Sequence, residues 1–119
     1  MKVYHNPSCS KSRQCVEALQ LHGNPFEVYP YLKQPLTKME LQELLSKLKL
    51  LPSELVRKNE LVFKEASKAS VLTEDEILHL MLEHPKLIER PIVEANGKAM
   101  VIRPIERLAD FLNDYNSTK

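Results

Sequence analysis

Cys9 lies in the stretch His5-Asn6-Pro7-Ser8-Cys9-Ser10, between a short extended run and the first amphipathic segment. A cysteine acts as a nucleophile through its thiolate, and a free thiol with a pKa of about 8.5 holds little thiolate at neutral pH. The N-terminus of a helix changes that balance, because its unpaired N–H groups and the positive end of its dipole favour an anion. Cys9 stands just ahead of such a helix, with His5, Lys11 and Arg13 close in sequence as sources of positive potential. Pro7 and Ser8 in the preceding turn point to an exposed sulfur. Cys9 is therefore read as a reactive thiolate.

Cys15 is the other cysteine and has to be weighed as a disulfide partner. Six residues of helix separate two positions by about 9 Å of rise and about 240° of net rotation. That exceeds the Cα separation of about 7 Å that a disulfide tolerates. The residue one turn on from Cys9 is Ser12, so the pattern is Cys-x-x-Ser, a monothiol arrangement that needs an outside thiol to complete a redox cycle. Cys15 is read as a packed helix residue.

Three arginines could hold an anion. Arg90 and Arg103 flank a predicted hairpin, one entering its first strand and one leaving its second, so antiparallel pairing brings them together at its open end. Guanidinium groups fork onto tetrahedral oxyanions through paired N–H donors. Arg57, in Arg57-Lys58-Asn59-Glu60, is the third. The plain alternative is that each arginine pairs with a surface carboxylate.

The elements that must position these groups follow from periodicity. Lys2–His5 reads as a strand, about Ser12 to Leu21 as a helix with Val16, Ala18 and Leu19 inward and Gly23 closing it, and Phe26–Pro30 as a second strand. Strand, helix and strand within about thirty residues fit a right-handed parallel crossover. Thr37-Lys38-Met39-Glu40 and Thr73-Glu74-Asp75-Glu76 are capping boxes. The first opens a helix with Leu41, Leu44, Leu45 and Leu48 on one stripe; the second opens one with Ile77, Leu80 and Met81 inward, stopped before Pro85. Pro52 suits the first turn of a short helix carrying Leu55 and Val56. Asn96-Gly97 between Ile92–Ala95 and Lys98–Ile102 predicts a type I′ hairpin. Pro104 is read as the start of a last helix with Ile105, Leu108, Ala109 and Leu112 inward, frayed from Tyr115 to Lys119.

The chain of 119 residues, 43% hydrophobic and 28% charged, fits one domain of 1–119, with a core of 1–30 and 85–119 and a helical insert at about 36–84. The order β-α-β, helical insert, β-β-α gives an α/β fold with a four-stranded mixed sheet on the thioredoxin-like plan. A net charge of +1 offers no surface for nucleic acid, and no apolar run is long enough for a membrane span. The absence of a signal-peptide pattern leads to the expectation of a cytoplasmic protein with reduced thiols. His5, His22, His79 and His84 are scattered and form no Cys/His cluster at zinc spacing, so no metal and no tightly bound cofactor are expected.

Taken together, His5-Asn6-Pro7-Ser8-Cys9-x-x-Ser12-Arg13, Arg57-Lys58-Asn59, Arg90-Pro91-Ile92-Val93 and Ile102-Arg103-Pro104 resemble the glutaredoxin-dependent arsenate reductases, from Met1 to the final helix. The resemblance implies a thioredoxin-like core with Cys9 attacking arsenate and Arg57, Arg90 and Arg103 binding the oxyanion. It further implies that His5 lowers the thiol pKa, that Ser12 hydrogen-bonds the thiolate, and that Pro91 is a cis-proline opposite the reactive cysteine. Glutathione is the implied co-substrate and glutaredoxin the implied partner. Ser10-Lys11 stands where well-established members of the family carry glycine and threonine. Two other readings remain open: a monothiol oxidoreductase acting on glutathione mixed disulfides, and a regulator of the Spx type that binds RNA polymerase. Ser12 in place of a second cysteine counts against the regulator.

Overall fold

A computed structural model describes residues 1–117. The elements are β1 (Lys2–Tyr4), α1 (Ser10–His22), β2 (Glu27–Tyr29), α2 (Lys38–Leu48), α3 (Pro52–Leu55), α4 (Leu61–Ala66), α5 (Glu74–Glu83), a 3-10 turn (Pro85–Leu87), β3 (Ile92–Ala95), β4 (Lys98–Val101) and α6 (Arg107–Ser117). They form two compact units. One comprises Met1–Gln34 and the chain from Arg90 onward, the other Pro35–Glu89.

The first unit holds the whole sheet, in the order β2-β1-β3-β4. β1 is parallel to β2 across the α1 crossover and antiparallel to β3, and β3 is antiparallel to β4. This is the thioredoxin-like, mixed four-stranded α/β arrangement expected from the sequence. Asn96 and Gly97 both have positive φ, 54° and 75°, as a type I′ turn requires, and Ala95 pairs with Lys98 across them. Val3 and Val93 pair directly and pack with Cys15 and Leu19 of α1 and with Leu108, Phe111 and Leu112 of α6. These two helices therefore cover the valine face of the sheet.

α1 begins two residues earlier than expected, and its buried line is Ser12, Cys15 and Leu19, at i, i+3 and i+7. Val16 and Ala18 are only half-buried. Gly23 ends the helix in the left-handed region at φ 77°. The last helix departs further from expectation. Pro104 does not start it: the Arg103–Pro104 bond is cis, and the helix begins at Arg107 after a turn in which the Arg107 amide donates to the Pro104 carbonyl. With the start moved, the inward positions become Leu108, Phe111 and Leu112, and Ala109 points to solvent. Tyr115 and Asn116 lie within that helix rather than in a frayed end; Thr118 and Lys119 lie outside the described residues.

The second unit is helical. Both capping boxes form, with Thr37 Oγ1 accepting from the Glu40 amide and Thr73 Oγ1 from the Glu76 amide, and each glutamate reaching back to the threonine N–H. Each cap stabilises its helix by about 1 kcal/mol. Leu41, Leu44 and Leu45 are buried and Leu48 half-buried. On α5, Leu78 takes the buried place expected of Leu80, because the buried positions are Ile77, Leu78 and Met81. Val56 lies beyond α3 in extended backbone, bridging Ile88. α4 and the 3-10 turn are additions to the sequence reading.

Candidate active site at the start of α1

Pairing of Tyr4 with Ile92 brings the chain leaving β1 beside the chain entering β3. The Cys9 turn follows the one and Arg90 precedes the other, so sheet register unites them. The Arg90–Pro91 bond is cis, as expected of Pro91. The amide of Ile102 donates to the Pro91 carbonyl at 2.9 Å, which continues the hairpin one step past the Ile92–Val101 pair.

Cys9 is the N-cap residue of α1, with extended backbone at φ −97° and ψ 121°. Its sulfur is buried, with 8% of the residue exposed, where the sequence pointed to an exposed thiol. The Cys9 amide donates to the Asn6 carbonyl, the Ser8 amide to Asn6 Oδ1, and Arg13 Nη1 to the Pro7 carbonyl at 2.8 Å. Burial pushes the thiol pKa up and is the largest single influence. The Ser12 amide, the Arg90 charge, the Lys11 amide and a hydrogen bond from Arg90 together outweigh it, so the pKa lies below its ordinary value. Arg90 is itself buried, with 9% exposed.

Ser12 and His5 take different places from those expected. Ser12 Oγ accepts from the Asn6 amide at 3.0 Å and lies 2.9 Å from His5 Nδ1. Its hydroxyl is thus engaged within the turn, and it is the backbone amide of Ser12 that favours the thiolate. His5 has its pKa lowered by burial and then by the Arg13 charge, so near neutral pH it is an uncharged partner of Ser12.

Cys15, fully buried in the apolar cluster, has its pKa pushed up to about 12 by burial. Both cysteines are free thiols.

Arg57 belongs to the second unit. Its Nη1 lies 2.6 Å from Glu60 Oε1 and its Nε 3.7 Å from Glu89 Oε1. For this arginine the plain reading of carboxylate pairing holds. Glu60 lies three residues on, in the connection between α3 and α4. Asn6 is the site residue that motif reading passed over as a mere turn former. Its signal was present, since asparagine side chains accept from the amide two residues on.

Among the described residues, no cluster of three or more His, Cys, Asp or Glu side chains could hold a metal ion. None of the helices among the described residues is long and apolar enough to cross a membrane.

The family model described as the ArsC family matches residues 4–111. The uncharacterized protein YfgD of Escherichia coli (strain K12) is 42% identical over 94% of this chain and 96% of its own. An arsenate reductase of Neisseria meningitidis serogroup A is 40% identical over 94% and 97%. Among solved structures, the arsenate reductase from Vibrio cholerae superposes with a TM-score of 0.85 at 40% identity, covering 92% of this chain and 97% of the other. With a matching family model over most of its length and relatives at this identity, the chain belongs to the ArsC family.

Proposed function

We propose that this chain is an arsenate reductase in which Cys9 is the nucleophile. The observation that carries the reading is the buried guanidinium of Arg90 beside a Cys9 thiol whose pKa is drawn down at the N-terminus of α1. A buried cation next to a nucleophile suits an anionic electrophile, because it offsets both the thiolate and the incoming charge.

The Cys9 thiolate attacks arsenic(V), forming an S–As bond; an arsenate oxygen takes up a proton and leaves as water. Glutathione thiolate then attacks arsenic and displaces a second oxygen as water, leaving arsenic(V) bonded to both sulfurs. A glutaredoxin thiolate attacks the glutathione sulfur, forming a mixed disulfide as the As–S bond breaks and leaves its two electrons on arsenic, now arsenic(III). Water then hydrolyses the remaining Cys9–As bond, releasing arsenite, a proton and the Cys9 thiolate. Two external thiols are consumed for each arsenate, as the two-electron balance requires. Arg90 and Arg103 are the proposed oxyanion donors on the sheet unit. Arg57 is added on the family resemblance. His5 and Ser12 act here as supports of the turn. The reaction calls for a reducing compartment, which in a bacterium is the cytoplasm.

The engagement of Arg57 by Glu60 and Glu89 favours a second reading, a monothiol oxidoreductase that resolves glutathione mixed disulfides without a three-arginine clamp. One assay decides between them: arsenate-dependent NADPH oxidation coupled through glutathione, glutaredoxin and glutathione reductase. The expected result is turnover in wild type, loss of more than about a hundredfold in Cys9→Ser, and retention in Cys15→Ala. Arg57→Ala lowers turnover far more than the exposed Lys38→Ala. Turnover of a glutathione mixed disulfide with no arsenate turnover selects the second reading.

A further inference from the structure

The turn between β1 and α1 is short, and one residue supplies most of the hydrogen bonds that shape it. Asn6 donates its amide to Ser12 Oγ at 3.0 Å. Its carbonyl accepts from the Cys9 amide at 3.0 Å, and its side-chain Oδ1 accepts from the Ser8 amide at 3.0 Å. Two amides that could have pointed outward, those of Ser8 and Cys9, are thereby spent on Asn6. The amides of the first turn of α1 are left for the sulfur. The bond to Ser12 Oγ matters as much, because it ties the fully buried Ser12 to the residue that fixes Cys9.

We propose that Asn6 is a positioning residue for the nucleophile, closing the turn so that the Cys9 sulfur is held against the Lys11 and Ser12 amides. It acts through its Oδ1, which by holding the Ser8 amide fixes the turn in which its own backbone meets Cys9 and Ser12, and not by touching the reacting atoms. The inference concerns the thiolate and holds for either target of Cys9, so it stands apart from the arsenate reading.

Asn6→Ala removes the acceptor for the Ser8 amide while leaving the charges of Arg90, Arg13 and Lys11 in place. Asn6→Ser restores a shorter acceptor of the kind that closes serine turns. The measurement is the rate of alkylation by iodoacetamide against pH in the full-length folded protein, with the modified cysteine identified by peptide mass. The expected result is a curve for Cys9 moved to higher pH, with alkylation at pH 6 about three- to fivefold slower in Asn6→Ala, or about half a pKa unit or somewhat more. Asn6→Ser falls between Asn6→Ala and wild type. A residue that merely stabilised the fold would lower the melting temperature and leave this curve in place. An unmoved curve in a folded Asn6→Ala therefore overturns the proposal. Should Asn6→Ala not fold, Asn6→Leu, of similar size and without an acceptor for the Ser8 amide, carries the same test: a curve coincident with wild type overturns it and a shift to higher pH supports it. No arsenate enters the measurement, so its outcome is independent of the turnover assay.

Discussion

Cys9 and Cys15 belong to the same helix, one as its N-cap and the other in its second turn, and both are buried. Their chemistry nonetheless diverges. Cys15 faces Val3, Leu19, Val93 and the apolar side of α6, so burial acts on it unopposed and its pKa rises to about 12. At Cys9 burial is also the largest single influence, yet the amides of Ser12 and Lys11 and the charge and hydrogen bond of Arg90 reverse the net direction. Depth alone therefore does not decide which thiol reacts. What decides is whether the burying wall carries donors and charge or only carbon.

The largest effect expected from this difference is in labelling. At pH 7 a thiol with a pKa of about 12 holds roughly one part in 10⁵ as thiolate. Iodoacetamide should modify Cys9 of the folded protein at least about a thousandfold faster than Cys15. The Cys9 rate rises with pH and levels off below the ordinary thiol range, since its folded value is lowered. Comparable labelling of the two cysteines in folded protein would break the comparison outright.

The second effect is in stability at high pH. The pKa of Cys15 is raised in the fold, so the folded state keeps its proton where the unfolded chain loses it. Its contribution is whole below the unfolded value of about 9 and declines as pH rises toward about 12. The slope is at most about 1.4 kcal/mol per pH unit. Denaturant midpoints of wild type and Cys15→Ala should converge and then cross as pH rises from 9 to 11, because the loss over that range exceeds the about 1 kcal/mol by which Cys15→Ala is weakened at pH 7 by its smaller side chain. A constant gap across that range would show that Cys15 does not titrate with unfolding.

The divergence of the two thiols was partly legible in sequence. The hairpin at Asn96-Gly97, both capping boxes and the strand–helix–strand crossover rest on neighbours a few residues apart, and those appear as written. The placement of Cys15 in the core follows from the same helical period. Pro104 is ambiguous in sequence, because a proline suits both the first position of a helix and a cis bond, and the residue itself does not distinguish them. The engagement of the Ser12 hydroxyl depends on Asn6, His5 and Ser12 closing on one another. Such mutual closure belongs to no single residue's propensity. Glu89 against Arg57 is a contact between residues far apart in the chain, invisible to local pattern, while Glu60 was within reach of it.

The smallest of the effects concerns the wall of Cys9 itself. Arg90 acts on the sulfur in two ways, through its charge and through a hydrogen bond, and the charge is the larger. Arg90→Gln removes the charge and keeps a donor; Arg90→Lys keeps the charge on a flexible point donor without the planar fork. If the charge dominates, Arg90→Gln should slow alkylation of Cys9 at pH 6 by about threefold, equal to about half a pKa unit, and Arg90→Lys should lie near wild type. Both variants should leave Cys15 unlabelled. Raised salt should weaken the contrast only slightly, since Arg90 is buried and such interactions are poorly screened. Equal slowing in the two variants would assign the effect to the fork geometry instead. The wall of Cys9 would then differ from that of Cys15 mainly in its hydrogen bonds, with the amides at the start of α1 carrying most of the distinction.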